Sequence, residues 1–217
     1  MRKNRFWFFI FGFIFFLGSG IGSFALTPIP RDPLDILNYP QENWRDRRFE
    51  VFRWDSFPEI IIFDTATFAI QDRLFKRLAF FVEKAGFRGR LAHDAEIADL
   101  HGWNAHDYNA PDLAAFFETA RLTNFPLFPE EWELQSILLE NGILRRGADS
   151  RITAGRGVVL SLSRQSSTDL RRRFMAHEGF HGLYFLDQDF RNFTRQRWAV
   201  FPEAGKTLLI AFFDLQV

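Results

Sequence analysis

Residues 174–183 read Phe-Met-Ala-His-Glu-Gly-Phe-His-Gly-Leu, and Val158-Val159-Leu160-Ser161-Leu162-Ser163 comes shortly before them. The second stretch, β-branched and apolar, predicts a strand. The first belongs to a predicted helix. Ser166, Ser167, Thr168 and Asp169 offer N-caps and an acid in the first turn, and a periodic pattern then runs to about Leu186. On that helix His177 and His181 stand one turn apart on one face. Their imidazoles can therefore aim at one point, as a tetrahedral zinc requires. Glu178, one step round, can reach a water in zinc's open position, so the stretch is an HExxH. Gly179 and Phe180 are uncharged, and Phe174, Met175, Ala176 and Leu183 flank the motif with apolar groups. A metal site needs such a dry wall, because low dielectric strengthens the pull on a bound water.

Working outward, Glu59-Ile-Ile-Ile-Phe-Asp64 predicts a second strand, bounded by Pro58. A helix over 67–85 follows, with Leu74, Leu78, Phe81 and Val82 on one face and Gly86 at its end. A short helix is expected at 94–101, ended by Gly102. Helices at 111–122, behind an Asn109 cap, and at 129–140, stopped by Gly142, each carry Pro at the first position and acids in the first turn. The order strand, helices, strand, HExxH helix, C-terminal helix predicts an α+β fold: a helix-rich single domain with a small, mostly antiparallel sheet.

The N-terminus has a basic start (Arg2, Lys3, Arg5), a nearly all-apolar run over 6–17 and a small-x-small end at Ser23 and Ala25. This predicts export through a signal peptide cleaved after Ala25, the alternative being an uncleaved membrane anchor over 6–26. Residues 26–48, rich in Pro and charge, read as an extended arm, and 49–217 as the domain. Without Arg2, Lys3 and Arg5, the 27 basic side chains no longer balance the 27 acidic ones, and a charge of about −3 gives no reason to expect nucleic acid. The absence of Cys excludes disulfides, a Cys-based zinc site and a lipid-anchored Cys. The 29 Phe residues fall mostly where elements should be buried, which reads as core packing.

The HExxH helix and the strand before it resemble the zincin superfamily of zinc metallopeptidases, over about a tenth of the chain. The resemblance implies His177 and His181 as Zn2+ ligands and Glu178 as general base. It also implies that Val158–Ser163 is an edge strand aligning a peptide substrate. For the third ligand it offers Glu203, twenty-two residues after His181 and so spaced in a gluzincin-like way. Asp187 holds the metzincin-like position, but Tyr184 stands where the turn wants Gly. Asp189 and Asp214 are further candidates. Pro202-Glu203 also reads as a helix start, which suffices to explain an acid there. The last helix, from Lys206, reaches Val217 without a stop signal, so a truncated chain with a ligand beyond residue 217 is the other expectation.

A second polar cluster, His101-Gly-Trp-Asn-Ala-His-Asp-Tyr108, reads either as a cleft-lining loop, with His106 or Tyr108 donating to an oxyanion, or as a capping loop before Asn109. Arg171, Arg172 and Arg173 read as a solvated face. Together these features predict an exported zinc-dependent metallopeptidase acting on peptide or protein substrates, with membrane contact through residues 6–26 if the signal is uncleaved. The alternative is a non-catalytic envelope protein acting as a membrane-tethered interaction domain.

Overall fold

The computed structural model describes residues 26–214. The expected signal or anchor at 1–25 lies outside the described residues. The main sheet is built from β1 (Ile29–Arg31), β2 (Phe49–Trp54), β3 (Ile60–Thr65), β4 (His106–Asn109) and β7 (Val158–Ser163), in the spatial order β1-β2-β3-β7-β4. It is a mixed sheet: β1 runs parallel to β2 and β3 to β7, while β2 is antiparallel to β3 and β4 to β7. A separate hairpin joins β5 (Leu144–Arg146) to β6 (Ile152–Ala154). With eight helices among the described residues, the fold is the α+β single domain that the sequence predicts.

Both faces of the sheet are covered, which is why β3 and β7 are apolar runs with little alternation. Ile61 and Phe63 of β3 pack with Leu74, Phe75 and Leu78 of α2 (Phe68–Val82) and with Phe116 and Phe117 of α4 (Ala110–Thr123). Leu134 and Leu138 of α5 (Pro129–Glu140) join that layer. The next residues along β3, Ile60 and Ile62, turn to the opposite face. There they meet Leu160 and Leu162 of β7, Ile36 of α1 (Pro33–Asn38) and Met175 of α6 (Thr168–Leu186). The period-two alternation of a strand thus splits the core between two helical layers.

The helix α6 carries the HExxH, and its buried residues are Arg171, Met175, Glu178, Gly179 and Gly182. Their spacing follows the helical repeat and marks the stripe facing the sheet. Gly182 makes the close approach possible, since a Cβ there would lie 3.0 Å from Ile60 Cδ1. Polar anchoring does the rest. Asp64 of β3, fully buried, pairs with Arg171 at 2.7 Å and 3.0 Å and with Arg164 at 2.7 Å. Arg171 is therefore a buried strut, not part of a solvated face, whereas Arg172 is exposed and Arg173 opens on a cleft.

Residues 26–48 are folded onto the domain and do not form an extended arm. Ile29 pairs with Phe52, Asp32 caps α1 by accepting from Leu34 N, and Ile36 and Trp44 are buried. Two further elements depart from expectation. The short helix expected at 94–101 spans only Asp94–Ile97, as α3. An additional helix, α7 (Gln188–Ala199), precedes α8 (Glu203–Asp214), and no residue of α7 is buried. No helix among the described residues is long and apolar enough to cross a membrane.

Candidate metal centre

A cleft of about 670 Å3 lies between α6, the end of α2 and the chain entering β4. His177, Glu178, His181, Phe174 and Arg173 line it from α6, and Glu83 from the C-cap of α2. His101, Trp103, Asn104, Ala105, His106 and Asp107 complete its wall. The region 101–107 is thus both a cleft lining and the lead into a strand, and Asn109 caps α4 by accepting from Asp112 N at 3.0 Å. The dry wall on this side comes from Phe174, Trp103 and Ala105. Met175, Ala176 and Leu183 instead line a groove against α1.

The helical spacing brings His177 and His181 together as predicted, with ring centroids 4.7 Å apart. Both imidazoles are exposed at the cleft mouth, and Glu178 lies below them, 7% exposed, on the sheet-facing stripe. Asp107 reaches in from β4, its Oδ2 3.3 Å from His181 Nδ1. Because β4 alternates, Asp107 faces α6 while His106 and Tyr108 turn toward Phe75 of α2. His106 nevertheless belongs to the wall of the cleft, whereas Tyr108 does not line it.

Electrostatics follow from this crowding. Burial, reinforced by the adjoining Asp107 carboxylate and by Glu83, pushes the Glu178 carboxyl up to about 8. Burial also raises Glu83. His181 is raised, first by Asp107, because the carboxylate favours the imidazolium. His177 is lowered by burial and by its neighbour His181. His106 is fully enclosed and lowered to about 3, so it stays neutral at physiological pH. Its Nδ1 meets Ser161 Oγ at 2.9 Å, and that hydroxyl also accepts from Gln71 Nε2 at 2.9 Å. His106 Nε2 has no hydrogen-bond partner among the described residues.

The expected downstream ligands are elsewhere. Glu203 begins α8, its side chain 84% exposed and 3.2 Å from Lys206 Nζ. Asp187 caps α7, accepting from the backbone of Asp189 and Phe190 at 2.8 Å and 2.9 Å. Asp189 is exposed, and the side chain of Asp214 lies outside the described ones. None of Glu203, Asp187 and Asp189 lines the cleft. Among the described residues no group of three or more His, Cys, Asp or Glu side chains converges as a metal site. The pair His177 and His181 fits a two-imidazole half of a zinc site, and Glu203 and Asp187 do not complete it.

The expected edge strand is also displaced. Val158–Ser163 lies inside the sheet, between β3 and β4, and the strand with a free edge beside α6 is β4. Sequence reasoning passed over Asp107 and Glu83 as site residues. The alternating burial of His106-Asp107-Tyr108-Asn109 is the signal that places Asp107 on the α6 side. Comparison with family models, curated proteins and solved structures yields no match.

Proposed function

We propose that the cleft is the site of a zinc-dependent hydrolase acting on peptide bonds, in a chain exported through residues 1–25. The observation that carries this reading is the placement of the HExxH: two imidazoles one turn apart at a cleft mouth, with the intervening carboxyl buried beneath them. His177 and His181 would hold the metal. When bound, zinc supplies Lewis acidity and brings the pKa of a water to about 7.

Glu178 takes and returns the proton. In the metal-free chain its carboxyl sits at about 8, through burial and Asp107. A cation near the imidazoles favours the carboxylate and draws that value down toward the range where a general base works best at neutral pH. The edge of β4, unpaired among the described residues, lies beside the cleft, and an extended chain can add to it through backbone hydrogen bonds. Trp103 and Phe174 give this edge an apolar surround.

Glu178→Gln tests the role directly. The variant is expected to keep zinc and lose hydrolysis of a peptide library by about 100-fold or more, the contribution of a positioned base. His177→Ala is expected to lose both. Undiminished turnover by Glu178→Gln contradicts the mechanism.

One observation favours a second reading, a non-catalytic zincin-like envelope domain that engages a partner while tethered by residues 6–26. It is the lack of a third converging ligand among the described residues. Substoichiometric zinc in the purified chain, with no peptide hydrolysis, would support that reading over the first.

A further inference from the structure

We infer that Asp107, on the edge strand β4, is the positioning residue of the metal centre: it holds His181 through Nδ1 and so presents Nε2 to the metal beside His177. The inference rests on the zinc reading above. Its ground is placement.

Asp107 and His181 are seventy-four residues apart in the sequence, yet Oδ2 stands 3.3 Å from Nδ1. The strand supplies the direction. His106 and Tyr108 are locked on the other face by Phe75, with ring centroids at 5.3 Å and 6.4 Å. Pairing of Asp107 with Leu160 in the β7 ladder fixes its height along α6. Asp107 is thereby held on the sheet, while His181 is 46% exposed on a helix face and has the His177 ring on its other flank, 4.7 Å away between centroids.

An imidazole has two nitrogens, and a hydrogen bond at one decides which is free to ligate. A carboxylate accepting from Nδ1–H leaves the Nε2 lone pair directed outward and raises its basicity. The separation of 3.3 Å is long for such a bond, and contacts of this kind often tighten only once a site is filled. The downstream acids offered by sequence spacing have no comparable access, since Asp187 is committed to the α7 cap and Glu203 to the exposed start of α8. The orienting carboxylate therefore comes from upstream, from the same strand that borders the cleft.

The test compares wild type, Asp107→Ala and Asp107→Asn in two measurements on the purified chain. The first is the proton position on His181, read from imidazole 15N shifts in the metal-free protein at alkaline pH. The expected result is a proton on Nδ1 in the wild type that moves toward Nε2 in Asp107→Ala. The second is zinc affinity by competition with a chromophoric chelator. Loss of the orienting group is expected to weaken zinc by about 10–100-fold in Asp107→Ala. Asp107→Asn, which preserves the shape and an acceptor oxygen, is expected to lose less and guards against a simple folding defect. A wild-type proton on Nε2, or unchanged zinc affinity in Asp107→Ala, overturns the inference while leaving the zinc reading in place. Failure of the wild type to take up zinc contradicts the zinc reading and the inference with it.

Discussion

The HExxH helix α6 and the two helices after it are held in opposite ways. Five residues of α6 are buried, including the arginine paired with Asp64, and its Gly182 lets it lie close on Ile60. No residue of α7 is buried, and Phe193, Trp198, Phe201, Leu208, Ile210 and Phe212 stand largely exposed on α7, α8 and the turn between them. The difference teaches where a site can be built. Side chains that must hold fixed positions come from elements tied to the sheet: His177, Glu178 and His181 from α6, and Asp107 from β4. Among the described acids of the outer helices, Asp187 caps α7 while Asp189 and Glu203 face solvent.

The largest effect expected from this contrast is on the strut. Asp64→Ala leaves Arg171 and Arg164 without their shared carboxylate, one of them 5% exposed, and breaking a buried pair costs about 3–5 kcal/mol. Denaturant unfolding should register that loss, together with weakened zinc binding as α6 loses its register. A change below about 1 kcal/mol would mean that apolar packing alone places the helix.

A middle-sized effect concerns pH. Burial raises Glu178 to about 8 from an ordinary value of 4.5. Between those values the unfolded chain has released a proton that the folded chain retains, so stability falls as pH rises through the window. His181, raised mainly by Asp107, works in the same direction: its stabilising pairing is present below its ordinary value of 6.5 and fades as pH rises through the raised one. Below pH 6.5 the buried His106, held at about 3, works the other way, so melting temperatures of the metal-free chain should decline chiefly between pH 6.5 and about 8. The decline should flatten in Glu178→Gln, which cannot ionise. An identical pH profile for both proteins would remove the buried carboxyl as its cause.

The smallest effect belongs to the outer helices. Leu208 is 70% exposed, and Leu208→Ser should shift stability by no more than about 0.5 kcal/mol. A loss comparable to that of Asp64→Ala would show that α8 is packed far more firmly than its exposure implies.

Much of the fold was legible because several elements announce both ends. The strand Val158–Ser163 and the helix Thr168–Leu186 fall where the apolar run and the Ser167 cap predict. Asn109 and the proline-led start at Pro129 did the same for α4 and α5. The extended-arm expectation for 26–48 fails because Asp32-Pro33 is a cap followed by a first-turn proline and Ile29 pairs with Phe52. Strand β4 is four residues long and half polar, too short for its alternation to stand out. Helix α7 mixes Arg and Phe without a buried stripe, so nothing in its pattern signals packing. In the site, local spacing revealed His177, Glu178 and His181. Asp107 was hidden because its role depends on how β4 pairs with β7, a long-range register that local sequence does not specify.

The most direct test of the central claim is a zinc titration of the purified chain beside His177→Ala and Glu203→Ala. The account predicts one zinc per chain in the wild type, its loss in His177→Ala and its retention in Glu203→Ala. A wild type that binds no zinc would contradict the metal centre, and loss of zinc in Glu203→Ala would contradict a site built from the sheet-anchored elements alone.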